Sequence, residues 1–425
     1  MALAQPSVAT DTAIVNVHVL TMQSAEVLPG QTVLVKDGRI EAFGPSGSLR
    51  PRPGVRVIDG HGGFLMPGLA DMHVHSDGDP MSLLLFLANG VTTVRQMSGL
   101  PVYLEWAREA AAGKRLAPDI YSTGPILVEK RTPQANQPDM ATQVRAQYAA
   151  GYRAIKPYTF LSADDYREAV ATARRLGMYV VGHIPYSVGT AGIIAAGQDE
   201  VAHVHSFHPD YFRDFDPAQV FREYAVDEEF GEHVAPQLRK AGIAVTTTLV
   251  VNQALADAQD LEAYASRPEM AYESRAALAL MRSPGWTFNK LWPHDYLTRV
   301  YLPHMFRLTH TLQRAGVVLV LGTDSGVPGL LHGFSTHREL QLLVQAGLSP
   351  YEALQAGTRN AAAVAGARDW GAIERGRRAD LLLLRDNPLE RIGNTQHIEG
   401  VMKRGRWLDR ADLDRLLNEV REAHQ

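Results

Sequence analysis

Cysteine is absent from the 425 residues. That excludes disulfides, thiolate metal sites and cysteine nucleophiles, so any metal must be held by histidine, carboxylate or a modified side chain. Long apolar runs are missing too, and none approaches the roughly 18 residues of a membrane span. The N-terminus lacks the basic-then-apolar order of a signal peptide, while Met1-Ala2-Leu3-Ala4-Gln5 also reads as the stump of a processed one. The expected location is cytoplasmic, or periplasmic or secreted if a signal has been removed. Charge of one sign is lacking as well: 42 Lys and Arg nearly balance 46 Asp and Glu, for a net charge of -4. With no block of like charge, neither nucleic acid nor an anionic membrane is an expected partner. A small molecule is.

What is present is enough apolar sequence, 45% of residues, for one large domain with a smaller companion. Residues 13–20 and 32–43 alternate apolar and β-branched residues around turn signals such as Lys36-Asp37-Gly38, and read as short antiparallel strands. The same texture returns at Ala379–Leu384 and Ile398–Gly405, ahead of a charged helical tail. A small β-sandwich built from both ends, residues 1–67 and 370–425, is the expectation.

Between these ends, apolar strand-like runs alternate with amphipathic helical stretches, the pattern of βα units around a parallel sheet. Eight strands are predicted: Gly63–His73, Val91–Gln96, Asp119–Thr123, Ala154–Tyr158, Tyr179–His183, Glu200–Val204, Ile243–Val250 and Val317–Thr323. Helical patterns such as Ala163–Leu176 and Ser349–Ala365 follow them. The fold class is therefore α/β, a (β/α)8 barrel over residues 68–369, whose functional side chains should emerge at the C-terminal ends of the strands. Two connections, 206–242 and 251–316, are too long for simple loops. The second is rich in aromatics, which serve either as lid, pocket wall or oligomer contact, or simply as packing for an extra helical layer.

The chemistry gathers at the predicted strand ends. Residues two apart on a strand share a face, so His73 and His75 can grip one ion together. A lone strand-end histidine is more often a satisfied core residue, but a pair ending a buried strand has few other ways to be satisfied. Lys156, His183, His203 and Asp324 end four further strands. Each alone is weak, since a strand-end Lys can merely pair with a carboxylate and an Asp merely cap a helix. The order HxH, Lys, His, His, Asp over an eight-strand pattern is a far more specific signal.

With these residues the chain resembles the amidohydrolase superfamily, in particular its imidazolonepropionase-like, Xaa-Pro dipeptidase-like branch, which includes ochratoxin-hydrolysing enzymes. The resemblance extends to Ala195-Ala196-Gly197 between His183 and His203, Leu321-Gly322-Thr323-Asp324, Gly347–Leu354 and Gly376–Leu381. It implies two divalent ions, zinc first among the candidates. His73, His75 and Asp324 would hold the more buried ion and His183 and His203 the more exposed one, with a carboxylated Lys156 bridging both. A carbamate suits that place, because an ammonium between two dications would be repelled. His205, on the same strand face, is the alternative to His203. The implied reaction is hydrolysis of an amide by metal-bound hydroxide, with Asp324 as proton shuttle. The expected substrate is an N-acyl amino acid, a dipeptide or an aryl amide.

Relatives of this kind also imply a homo-oligomer, such as an octamer. Peptidases of the branch place a Tyr two positions after the fifth-strand His. Here that position is Pro185, with Tyr186 next to it. Tyr186, His205 and Tyr158 are the candidate substrate-binding residues. Within the superfamily the alternatives are ester, lactone or phosphotriester hydrolysis, or one-metal deamination. Outside it they are a Schiff-base lyase using Lys156, which leaves His73, His75 and Asp324 unexplained, and a non-catalytic scaffold, which would be expected to have lost ligand positions.

Overall fold

The computed structural model describes residues 11–128 and 138–424, so the Met1–Gln5 segment lies outside the described residues. Strands β1 (Thr12–Leu20), β2 (Val27–Lys36), β3 (Arg39–Pro45), β4 (Arg56–Asp59) and β5 (Phe64–Pro67) come from the N-terminal end of the chain. After them run β6 (Leu69–Val74), β7 (Val91–Gln96), β8 (Asp119–Ser122), β9 (Ala154–Ile155), β10 (Tyr179–Gly182), β11 (Glu200–Ala202), β12 (Ala244–Thr246) and β13 (Leu319–Val320). The last three are β14 (Leu381–Leu384), β15 (Ile398–Lys403) and β16 (Arg406–Asp409). A helix, Arg410–His424, closes the chain.

The terminal strands join in one sheet in the order β16-β15-β14-β5-β1-β2-β3, with β4 beside β1. Side-chain alternation explains why β14 is an unbroken Leu run. Leu381 and Leu383 enter the small core of this sheet with Ile14, Val33 and Trp407, while Leu382 and Leu384 enter the main core. A strand covered on both faces needs no polar side.

Strands β6 to β8 pair in parallel, as do β9 to β13. Backbone bonds join the two sets at both seams: Gly124 N to Ala154 O at 2.9 Å beside β8 and β9, and Met72 N to Leu321 O at 2.9 Å beside β13 and β6. The eight parallel strands thus close into the predicted barrel.

The expected strands are longer than the observed ones, for local reasons. Gly63–His73 is two strands, since the chain leaves the terminal sheet after Pro67 and enters the barrel at Leu69. Gly68 makes the passage because a Cβ there would lie 2.4 Å from the Thr92 side chain. Regular pairing then stops just before Lys156, His183 and His203. Pro157 has no N–H to donate, and His203, Thr248 and Asp324 have φ of 72°, 49° and 58°, which a strand cannot continue through. The run to Val250 turns into the helix Leu249–Asp257. The helix expected over Ser349–Ala365 is likewise two, Pro350–Ala356 and Arg359–Val364, interrupted where the Gly357 carbonyl accepts from Ala70 N of β6.

The aromatic insertion is mostly a packing layer. Tyr264, Trp286, Trp292, Tyr296 and Tyr301 are buried, and the rings of Trp292 and Tyr301 lie 4.8 Å apart.

A buried ion cluster fastens the terminal sheet to the barrel. Asp119, at the start of β8, meets Lys403 at 2.8 Å, Arg378 at 2.6 Å and Arg404 at 2.8 Å. Burial alone would raise this carboxyl, but the three cations hold it down to about 2. A depressed carboxylate pKa contributes stability that is complete above the unfolded value near 4 and is lost as pH falls towards 2. Asp119→Ala is expected to cost about 3–5 kcal/mol at pH 7, as for other broken buried pairs. In urea unfolding the gap to wild type should narrow by pH 3; a gap that did not change with pH would refute the ionic account.

Candidate metal centre

The C-terminal mouth of the barrel collects the six side chains singled out in the sequence. His73 is fully buried at the end of β6, and its Nε2 lies 3.2 Å from Asp324 Oδ1, while His75 Nε2 lies 3.0 Å from the same oxygen. The ligand-type atoms of this trio all fall within 4.8 Å of one another. Lys156 Nζ is 2.9 Å from His73 Nε2. The His203 ring is 4.3 Å from His73 and 4.9 Å from His183, centre to centre. Side chains far apart in sequence are thus in mutual contact.

Burial sets their ionisation. It lowers His73, His183 and His203 well below the ordinary imidazole value, with the Lys156 charge adding to the effect at His73 and His183. All three are therefore neutral, the form that ligates metal. Burial also brings Lys156 down to about 8, against the opposing pull of Asp324. For Asp324 burial pushes the pKa up, but the neighbouring His73, His75 and His203 outweigh it and keep the carboxylate ionised.

The donor set fits a divalent metal. Thr159 Oγ1 hydrogen-bonds His183 Nδ1, and Thr248 Oγ1 lies 2.8 Å from His203 Nδ1. With Nδ1 protonated, each ring donates to its threonine and leaves Nε2 for an ion, the usual arrangement behind a ligating histidine. Asp71, two residues before His73, accepts from Thr323 N at 3.0 Å, Thr323 Oγ1 at 2.6 Å and Thr336 Oγ1 at 3.1 Å. That fixes the residue before Asp324, whose left-handed backbone costs about 1–3 kcal/mol and persists only when its surroundings hold it. Thr159, Thr248 and Asp71 carry no motif of their own. The only sequence signal at any of them is that Asp71 falls two residues before the HxH pair.

The three expected substrate-binding residues are placed differently. The Tyr158 ring lies 4.4 Å from that of His183, at the centre itself. His205 stacks on His203 at 4.6 Å, and its buried Nδ1 has no hydrogen-bond partner among the described residues. Tyr186 packs edge-on against Phe160 and Phe215, and its backbone N–H donates at 3.0 Å to the carbonyl of Thr159, the residue whose side chain bonds His183. A cavity of about 400 Å³ opens beside His75, lined by Ser76, Asp77, Tyr272, Leu280, Pro328 and His332 among others.

A closed parallel barrel with neutral imidazoles, a buried amine and a carboxylate converging at its C-terminal mouth defines a class of metal-assisted hydrolases. Residues 64–408 match the Amidohydrolase family, and the chain belongs to it. Among solved structures, bottromycin amidohydrolase is 26% identical with a TM-score of 0.77, covering 97% of this chain and 90% of its own. A putative prolidase from Bifidobacterium longum is 25% identical with a TM-score of 0.73, covering 97% of this chain and 100% of its own. The adenine deaminase of Paracoccus denitrificans (strain Pd 1222) is 38% identical over 84 residues, only 19% of this chain and 13% of that protein. The family match and the two solved structures bear out the barrel with its β-sandwich and the suspected branch.

Proposed function

We propose that the chain is a binuclear metal-dependent hydrolase that cleaves an amide bond of an N-acyl amino acid, dipeptide or aryl amide. The observation that carries this reading is Lys156. A buried amine, brought down to about 8 and 2.9 Å from a histidine nitrogen, has a neutral fraction near neutral pH that is available to form a carbamate. Its neutral nitrogen adds to carbon dioxide, forming an N–C bond and losing one proton. The product is an anion with two oxygens, able to face two cations at once.

In this reading His73, His75 and Asp324 would hold one ion and His183 and His203 the other, with a carboxylated Lys156 as a ligand shared between them; zinc would suit the nitrogen and oxygen donors. When bound, the ions would polarise the scissile carbonyl and make a water acidic near neutral pH. The protein's own part is to place and move protons. Asp324 Oδ1, already a carboxylate, takes the proton of the attacking water and returns it to the leaving nitrogen. Thr159 and Thr248 keep the outer imidazoles in one tautomer. The cavity beside His75, within the 300–1,000 Å³ usual for small ligands, receives one side of the substrate, and its Leu280 and Pro328 favour an apolar group. The buried aromatics of the insertion do not line that cavity, whereas the half-buried Tyr272 does, so substrate preference rests on the cavity and on Tyr158 and His205.

One-metal deamination is the second reading, favoured by the compactness of the His73, His75 and Asp324 trio and by the short adenine deaminase match. Metal counting separates the two. Active protein is expected to carry close to two divalent ions per chain and to lose activity on chelation. Zinc, cobalt or manganese should then restore it towards a panel of N-acyl amino acids, dipeptides and aryl amides. Protein that turns over adenine with release of ammonia on a single ion would overturn the amidase reading, and active protein free of transition metal would overturn both.

A further inference from the structure

Glu339 is a fully buried carboxyl group in the helix Phe334–Gln345, and the reaction proposed above makes no use of it. A carboxyl group in such a place must be hydrogen-bonded, and its partners among the described residues lie in the segment that follows β12. Its Oε1 accepts from Thr247 Oγ1 and, at 2.9 Å, from Leu249 N; its Oε2 accepts from Val250 N at 2.7 Å. These three donors straddle Thr248.

Thr248 is itself unusual. It is fully buried with φ of 49°, a conformation costly for a β-branched residue, and its Oγ1 lies 2.8 Å from His203 Nδ1. No side chain other than Thr248 is recorded on that nitrogen among the described residues. The first turn of the helix Leu249–Asp257 would otherwise leave its N–H groups without partners; Glu339 satisfies two of them from a distant helix and so pins the turn where Thr248 must be strained. The carboxyl group therefore acts on His203 through one intermediate, by holding both neighbours of the residue that orients the ring.

We infer that Glu339 is a positioning residue for the outer ion, acting through Thr248 on His203. The inference rests on the reading of His203 as a metal ligand. It is specific about chemistry. The backbone N–H groups of Leu249 and Val250 use one carboxyl oxygen each, and a glutamine offers one oxygen while turning its NH2 towards a donor.

The test uses the full chain, stripped of metal and titrated with cobalt(II) or zinc(II) alone. Wild type should take up two ions. Glu339→Gln, with its fold checked by circular dichroism, should take up the first ion normally. It should bind the second about 10- to 100-fold more weakly, the usual effect of losing a partner behind a ligand, with an altered cobalt absorption spectrum. At saturating metal kcat should remain below wild type while KM is little changed. Thr248→Val should reproduce the second-ion defect without touching Glu339, and the double variant should be no worse than the poorer single one, because both act by one route.

Wild-type affinity for both ions in Glu339→Gln overturns the inference, as does full additivity in the double variant. If Glu339→Gln does not fold, Thr248→Val decides alone: unchanged second-ion affinity there overturns the inference. A wild-type chain that takes up no second ion overturns the two-ion reading and this inference together, whereas two ions in wild type with unaffected variants overturns this inference only.

Discussion

Lys156→Ala is expected to reduce bound metal from about two ions per chain to one or none and to lower turnover on the order of 10³-fold, since Lewis-acid assistance contributes several kcal/mol and each tenfold costs about 1.4. The expectation follows from position. Lys156 lies at the end of β9, 2.9 Å from His73, with its ammonium form disfavoured by burial. If its role were only structural, removing a buried amine beside a neutral histidine would cost packing but leave the two histidine sets able to take up metal. If its carbamate spans the ions, alanine removes an anionic ligand from both at once. Formate, acetate or propionate should then partly restore metal and activity, because a small carboxylate can enter the space left by the side chain and supply the same two oxygens. Metal analysis and turnover with and without added acid check this, and full activity in the unsupplemented variant would rule the bridging role out.

The candidate centre was largely legible because its signals are local. Val91–Gln96 reads as a strand from its own residues and is one, and the six ligand-type side chains stand at strand ends that apolar runs announce. What could not be read depends on contacts made by the folded chain. Gly63–His73 looks like one apolar run, yet the boundary between sheet and barrel falls inside it, fixed by the approach of Thr92 to Gly68. His203 and Asp324 adopt left-handed backbone that only the surrounding hydrogen bonds impose. Thr159, Thr248, Asp71 and Glu339 are common residue types whose partners come from other strands and helices, so no spacing marks them. The aromatics of 251–316 show the converse. Their composition suggested either a pocket or a layer, and burial decides for the layer at most positions.

Asp324→Asn separates chemistry from structure at the last strand end. The side chain has three possible duties: neighbour of an ion, acceptor of a proton, and cap for the backbone beyond it. The asparagine amide keeps an oxygen near the place where Asp324 Oδ1 now lies, 3.0 Å from His75 Nε2 and 3.2 Å from His73 Nε2, so most of the metal and the fold should survive. Asparagine also tolerates left-handed backbone, so φ of 58° is no obstacle. It cannot, however, accept a proton. Turnover should therefore fall by about 10²-fold or more, the range for removal of a general base, while KM changes much less because the cavity walls are untouched. The acid limb of the pH profile supplies a second check. In wild type the carboxylate is held well below the ordinary range by the histidines around it, against the push of burial, so activity that depends on it should persist into acid until those histidines or the ions themselves are lost. In the variant the residual activity should follow hydroxide instead, rising with pH. A variant with normal metal content and near-normal kcat would remove Asp324 from proton transfer and leave it a ligand or a cap.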